Sequence, residues 1–328
     1  MPLVTLANNK RFLVVDDKPI LTEAKSQGVV LEYSCRTGRC GVCKAELIRG
    51  ETRVLQAEDA LTPAELQAGL ILTCCRAAVT DVELNIDDLG RLADIETKTV
   101  PCRIDSIDAL TSDVVQVTLR LPPSSKLQYL AGQYVDVIWQ GARRSYSIAN
   151  TPQDDGKLVL QIRYVVQGLM SHYWFNEAKV NDLLRLEGPL GTFCLRTTEP
   201  SNLVFLATGT GIAPVKAMLE ELASSTTLAL GKNIYVYWGG RTTPDIYWQV
   251  VFDHLNLTFI PVLSRPAPDW LGRTGYIQQA LLDDGVNLTD AVVYACGSDA
   301  MIHSAREQLT SAGLHPKNFY SDAFVSSN

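Results

Sequence analysis

The sequence is poor in histidine, with only His172, His254, His303 and His315 among 328 residues. None of them stands at a spacing that would build a metal site or a nucleophile-base triad. No apolar run approaches the roughly 18 residues that a membrane-spanning helix needs, and the N-terminus lacks a charged start leading into a long apolar stretch. A basic arm is also missing: the net charge is −7, the pI is about 5.2, and residues 1–90 hold 10 basic against 13 acidic side chains. These absences argue against nucleic acid and membrane as partners and lead us to expect a cytoplasmic chain. No internal repeat or low-complexity tract is present.

What remains is ample for a folded chain. With 46% hydrophobic residues, 328 positions accommodate two or three domains, each able to bury a core. Eight cysteines in a reducing compartment point to metal binding or catalysis rather than to a disulfide framework. Cys35, Cys40, Cys43, Cys74 and Cys75 are crowded together, whereas Cys102, Cys194 and Cys296 are scattered. Cys102 and Cys194 stand among apolar neighbours and read as buried structural thiols.

The crowding marks a first domain over 1–90. Val4–Leu6 and Phe12–Val15 read as a hairpin turning at Asn8 and Asn9, followed by a helix near Leu21–Gln27 that Gly28 closes. Lys44–Arg49 and Asp81–Ile86 supply further strands. Thr62, Pro63 and Glu65 form a capping-box pattern for a helix that stops at Gly69. A polar linker follows, set at 91–100. Strand-length runs punctuated by Gly and Pro (Val114–Leu119, Tyr134–Trp139, Ser145–Ala149, Leu158–Val165, Leu183–Leu186) predict an antiparallel barrel over 101–198. From 199 to 328 the texture becomes buried strands alternating with helices, as in a parallel α/β sheet: Leu203–Ala207, Val215–Ala223, Ile234–Trp238, Leu257–Leu263, Ala291–Ala295 and a helix near Ala300–Ala312.

Cys35, Cys40 and Cys43 are spaced C-x4-C-x2-C, and Cys74 follows after 30 intervening residues, which is the plant-type [2Fe-2S] pattern. Gly38 and Gly41 permit the tight backbone that brings amides toward sulfur. A structural zinc site is the competing reading, although only one C-x2-C pair is present. Cys75 adjoins Cys74; in an extended segment the two would point to opposite sides, so that only one binds metal.

In the middle region, Arg143–Asn150 reads RRSYSIAN. Arg144 offers a phosphate-binding cation, Tyr146 a flat ring and Ser147 a small hydroxyl, with Arg144 and Tyr146 on one face. An ordinary exposed strand would look the same. In the last region, Gly209, Thr210, Gly211, Ile212, Ala213 and Pro214 follow an apolar strand and lead into a helix, a suitable cradle for a pyrophosphate. Pro214 takes the place of a third Rossmann glycine, and no acidic residue closes the second strand, where Trp238, Gly239, Gly240 and Arg241 stand instead. Arg241 is open to two readings, a ligand for a 2′-phosphate or an ion-pair partner of Asp245. Ser298 could cap the next helix, and Cys296 could be a core residue.

These motifs resemble those of the ferredoxin-NADP reductase superfamily. Arg144, Ser145, Tyr146 and Ser147 match its R-x-Y-S motif. The resemblance implies FAD, with Tyr146 stacked on the isoalloxazine, Ser147 near N5 and Arg144 at the pyrophosphate. It further implies that Gly168, Leu169, Met170 and Ser171 form the second phosphate loop, and Gly188, Pro189, Gly191 and Phe193 the passage to the next domain. Gly209, Thr210, Gly211 and Pro214 match its nicotinamide-nucleotide turn, and Cys296 and Gly297 its Cys-Gly pair beside the nicotinamide. Asp322 and Phe324 match in type its terminal carboxylate and aromatic, Phe324 covering the flavin and Asp322 supporting the site. Leu72, Thr73 and Cys74 are similar to the ferredoxin Leu-Thr-Cys, which favours Cys74 as the fourth ligand.

The order of cluster, flavin and nucleotide domains resembles reductase components of bacterial oxygenases and, more closely, the CDP-6-deoxy-Δ3,4-glucoseen reductase family. That resemblance implies an oxidoreductase that passes electrons from NADH, or NADPH, through FAD and a [2Fe-2S] cluster to an acceptor protein. The acceptor implied is an iron-sulfur pyridoxamine-phosphate sugar dehydrase, with an oxygenase component as the alternative. Ser147, Cys296 and Asp322 would orient the hydride transfer. A zinc-containing nucleotide-binding regulator without redox turnover is the rival from another class.

Overall fold

The computed structural model describes residues 1–324 apart from 16, 197 and 226 and the side chain of 91. Expected nucleotide-domain residues 325–328 lie outside the described residues. The chain divides into two units, Met1–Glu96 and a second spanning Thr97–Phe324.

In the first unit, β1 (Leu3–Leu6) and β2 (Arg11–Leu13) pair as the expected hairpin, and α1 (Ile20–Ser26) ends before Gly28, whose φ of 72° is the left-handed turn a helix stop uses. β3 (Lys44–Arg49), β4 (Thr52–Val54), α2 (Pro63–Gln67), β5 (Leu70–Leu72), β6 (Arg76–Ala78) and β7 (Val82–Leu84) follow. The sheet runs β2-β1-β7-β3-β5, with β1 and β7 parallel and the other pairs antiparallel, while β4 and β6 pair separately. Thr62 caps α2 in a complete capping box with Glu65. Ile20, Leu31, Ile71, Leu72 and Leu84 form the centre of the core.

The second unit opens on β8 (Lys98–Ala109), which starts inside the stretch expected as linker. It is joined by β9 (Val114–Arg120), β10 (Tyr134–Trp139), β11 (Ala142–Ser147), β12 (Lys157–Arg163), a short α3 (Leu169–His172) and β13 (Leu183–Leu190). The sheet order is β11-β10-β13-β8-β9-β12, all antiparallel, and the two edges meet through one bridge, Ile148 to Leu160. A curled sheet closed at one point is the expected barrel in its half-open form.

The same unit continues with β14 (Asn202–Thr208), α4 (Ile212–Ser224), β15 (Asn233–Gly240), β16 (Leu257–Leu263), β17 (Arg273–Thr274), α5 (Ile277–Asp283), β18 (Ala291–Ser298), α6 (Asp299–Ser311) and β19 (Phe319–Phe324). They form an all-parallel sheet ordered β17-β16-β15-β14-β18-β19. β14 is buried along nearly its whole length, as a central parallel strand covered on both faces must be. Barrel and parallel sheet are joined by polar contacts at two places. On one side Glu220 of α4 accepts from Thr151 N at 3.0 Å, and Lys216 Nζ donates to Ala149 O at 3.2 Å. On the other, Arg163 of β12 pairs with Asp245 beyond β15, and Tyr247 Oη donates to Gln161 Oε1 at 3.0 Å.

Candidate functional site

The four cysteines of the spaced motif come from two segments, the loop 35–43 and the turn after β5. Cys40, Cys43 and Cys74 are buried and Cys35 is partly exposed. Their thiols are arranged as two pairs. Cys43 Sγ lies 3.2 Å from Cys74 Sγ, and Cys40 donates to Cys35. The Cys40 contact, against opposing burial, pulls Cys35 down to about 5, with help from Thr37. Cys40 is pushed up by Cys35 and by burial, and Cys74 by Cys43 and by burial. Backbone amides aim at these sulfurs: Thr37 and Arg39 at Cys35, Val42 at Cys40 and Gly38 at Cys74. Gly38 is required twice over, because its φ is +77° and a Cβ there would stand 2.1 Å from Ala57 O. Among the described residues no three His, Cys, Asp or Glu side chains converge on a single ion position. Two thiol pairs ringed by amides suit two irons, each taking two thiolates, better than one tetrahedral zinc.

Cys75 departs from expectation. Thr73–Cys75 is a turn closed by Cys75 N donating to Leu72 O at 2.8 Å, so Cys74 Sγ and Cys75 Sγ lie 3.5 Å apart instead of on opposite sides. Burial and the Cys74 charge push the Cys75 thiol up to about 12, which keeps it protonated.

On β11, Arg143 and Arg144 have separate fates. Arg143 pairs with Asp136 at 3.1 Å and Glu187 at 2.7 Å, whereas Arg144 is exposed and has no carboxylate partner among the described residues. That leaves the Arg144 guanidinium available to a phosphate. Tyr146 lies across from Val135 with its ring edge-on to Trp174, whose Nε1 donates to Tyr146 Oη at 3.0 Å. Burial pushes the Tyr146 phenol up to about 12, so it is neutral and fixed in orientation. Ser147 is buried opposite Tyr134. Downstream, Gly168 precedes α3, Met170 enters the barrel core, and Ser171 Oγ accepts from Val165 N at 2.9 Å, folding the loop on itself and leaving its own proton to donate.

Gly209, Thr210 and Gly211 form a 3-10 turn that runs directly into α4, and Trp238 Nε1 donates to Gly209 O at 2.9 Å to fix it. Pro214 sits in the first turn of α4, where no backbone N–H is missed. The turn interlocks with the end of β18: a Cβ on Gly211 would stand 2.2 Å from Cys296 O, and one on Gly297 (φ +149°) 2.0 Å from Thr208 Oγ1. Only two glycines allow this approach, which leaves a backbone-lined cradle at the carboxyl ends of adjacent strands. Cys296 is directly across from Asp322 in the β18–β19 pairing, fully buried, and its thiol is pushed up by burial and by the Asp322 charge. Asp322 is itself buried, and Phe324, opposite Ser298, is 40% exposed. Ser298 does cap α6, accepting from Met301 N at 3.4 Å. Asp245 takes the Arg163 guanidinium and the backbone N–H of Arg241, so the Arg241 side chain is not its partner.

Sequence reasoning missed several groups. Arg163, between Asp113 and Asp245, lies against the nucleotide turn, its Nη1 2.8 Å from where a Gly209 Cβ would stand. Glu58 and Arg76 pair beside Cys74. Neither constellation has a spacing signature, since each joins residues from separate elements.

Comparison with known proteins finds three family matches along the chain. Residues 4–80 match the 2Fe-2S iron-sulfur cluster binding domain, 101–194 the oxidoreductase FAD-binding domain and 205–307 the oxidoreductase NAD-binding domain. The chain is 45% identical over 313 residues to the CDP-6-deoxy-L-threo-D-glycero-4-hexulose-3-dehydrase reductase of Yersinia pestis, covering 94% of this chain and 93% of that protein. The chain belongs to the family of iron-sulfur flavoprotein reductases that includes these dehydrase reductases. Reductase component 1 of the Comamonas terephthalate 1,2-dioxygenase is 30% identical over 324 residues, 96% of this chain and 95% of that one. A crystal structure of an Amycolatopsis cytochrome P450 reductase superposes with a TM-score of 0.75 at 25% identity, covering 100% of both chains. The iron-sulfur flavoprotein reductase therefore carries FAD, a nicotinamide nucleotide and a [2Fe-2S] cluster, moves electrons from NAD(P)H through FAD to the cluster, and is not the zinc regulator held as a rival. No helix among the described residues is long and apolar enough to cross a membrane.

Proposed function

We propose that this reductase draws on NADH and supplies single electrons to the iron-sulfur, pyridoxamine-phosphate-dependent dehydrase of CDP-linked 3,6-dideoxyhexose synthesis, in the cytoplasm. The observation that carries the partner is the difference in likeness: 45% identity to the Yersinia dehydrase reductase against 31% to the Acinetobacter phenol hydroxylase P5 protein and 30% to the dioxygenase reductase. We also keep the division into 1–90, a linker at 91–100, 101–198 and 199–328 as the functional one.

When bound, the nicotinamide supplies a hydride, FAD takes both electrons and parts with them singly, and the cluster accepts one at a time. The chain's own residues hold these groups. Cys35 with Cys40, and Cys43 with Cys74, would each hold one iron, with the amides at Thr37, Gly38, Arg39 and Val42 offsetting negative charge on sulfur. Arg144 and the Gly168–Ser171 loop would hold the flavin pyrophosphate, Tyr146 would lie against the ring system, and Ser147 would offer its hydroxyl at the ring's reactive edge. The Gly209–Gly211 turn and Gly297 receive the nucleotide pyrophosphate. Asp322, buried beside Cys296, would support the nicotinamide side of the site, and Phe324 would cover the flavin face. None of these groups transfers protons as a strong acid or base.

The test is anaerobic NADH turnover in which the purified dehydrase with its CDP-hexulose substrate, or an oxygenase component, is the acceptor. Deoxysugar product from the first pairing at a rate far above that of the second is the expected result. Preferential reduction of the oxygenase component would replace the proposal with the oxygenase reading.

A further inference from the structure

Leu55–Glu58 lies along the turn that carries Cys74. Leu55 N donates to Cys75 O at 2.8 Å, and Gln56 Nε2 donates to Cys74 O at 3.0 Å and to Arg36 O at 3.2 Å. Glu58 closes this arrangement. Its Oε1 accepts from Leu72 N at 2.8 Å and Arg76 Nε at 3.0 Å, and its Oε2 accepts from Arg76 Nε at 2.9 Å and Nη2 at 2.7 Å. Arg76 Nη1 donates in turn to Thr52 Oγ1 at 3.1 Å. A single carboxylate thus grips the chain two residues before Cys74 and two residues after it.

Both partners are withdrawn from water, Glu58 at 7% and Arg76 at 17% side-chain exposure, so bulk salt screens their charges little. A buried ion pair adds little stability over a packed apolar pair. The potential of an iron-sulfur site follows net charge, hydrogen bonding and exposure, and groups behind the ligands orient them. We propose that the Glu58–Arg76 pair is a positioning clamp on the Cys74 turn whose two opposite charges together set the one-electron reduction equilibrium of the cluster.

The proposal rests on the assignment of the cluster to Cys35, Cys40, Cys43 and Cys74, which iron and sulfide content of Cys-to-Ser variants tests separately. The clamp is tested in the full-length holoprotein by redox titration of the cluster, followed by its electron paramagnetic resonance signal. Glu58→Gln removes a negative charge and favours the reduced form, whereas Arg76→Gln removes a positive one and disfavours it. We expect shifts of about tenfold in the equilibrium, about 59 mV for one electron. The signs are opposite, and the double variant returns toward the wild-type value. Loss of structure alone would move both single variants the same way, so shifts of the same sign, or none, overturn the proposal. If either neutralised variant unfolds, Arg76→Lys decides: it keeps the charge and loses the two-pronged contact, and should hold the wild-type potential while releasing iron faster to a chelator. A Lys variant shifted as far as tenfold, or one that keeps its iron as wild type does, overturns the clamp.

Discussion

At the scale of single residues, the two neighbouring arginines of β11 show how one strand divides scaffold from ligand. Arg143 is occupied by Asp136 and Glu187, which leaves Arg144 as the guanidinium proposed for the flavin phosphate. Arg144→Gln should weaken FAD binding by roughly 10- to 100-fold, the loss of one charge-assisted contact, with the apoprotein fold intact. Flavin fluorescence on dilution measures it; unchanged retention would remove Arg144 from the site. The glycine interlock makes a sharper demand. A methyl on Gly211 has to displace the Cys296 carbonyl from 2.2 Å, so Gly211→Ala should lose about 1–3 kcal/mol in thermal unfolding and raise the KM for NADH.

At the scale of elements, α2 exists because Thr62 and Glu65 satisfy each other's end of it. Thr62→Ala should cost about 0.5–2 kcal/mol in denaturant titration of the cluster unit. Glu65 adds a pH dependence. Burial opposes its ionisation, but Lys44 and the Thr62 N–H outweigh that and hold it below its ordinary 4.5. A depressed carboxylate contributes stability above its unfolded pKa and loses it as the pH falls through the lower folded value. The loss therefore comes below about pH 4.5, and Glu65→Gln should remove that part of the acid sensitivity.

Most elements could be read directly from sequence because local rules and tertiary packing agree. The capping box, the apolar run of β14 and the C-x4-C-x2-C spacing each point one way. β8 was obscured by Pro101 and by polar residues before it, although Val100, Cys102 and Ile104 alternate inward as a strand requires. Cys75 was misplaced because a turn does not obey the alternation of a strand. The Arg163–Asp245 pair joins residues 82 positions apart, and no local pattern announces such a contact.

At the scale of the whole molecule, the residues proposed for flavin and nucleotide belong to one unit and the cysteines proposed for the cluster to the other. On that assignment we expect the two half-reactions to be separable. Cys40→Ser should bring cytochrome c reduction down to background while NADH-driven bleaching of the flavin proceeds at nearly the wild-type rate. Cytochrome c reduction at the wild-type rate would overturn the electron order.

The pairing of the cluster thiols also bears on how the protein survives air. Cys43 and Cys74 stand 3.2 Å apart, and closing by about 1 Å would join them as a cystine. Were iron held there lost to oxygen, these two thiols would stand close enough for the same oxidant to join them, and we expect the damage to outlast the exposure. Iron and sulfide alone should fail to rebuild air-bleached protein, whereas the same reagents after dithiothreitol should succeed, so repair is limited by a reductant and not by the supply of metal.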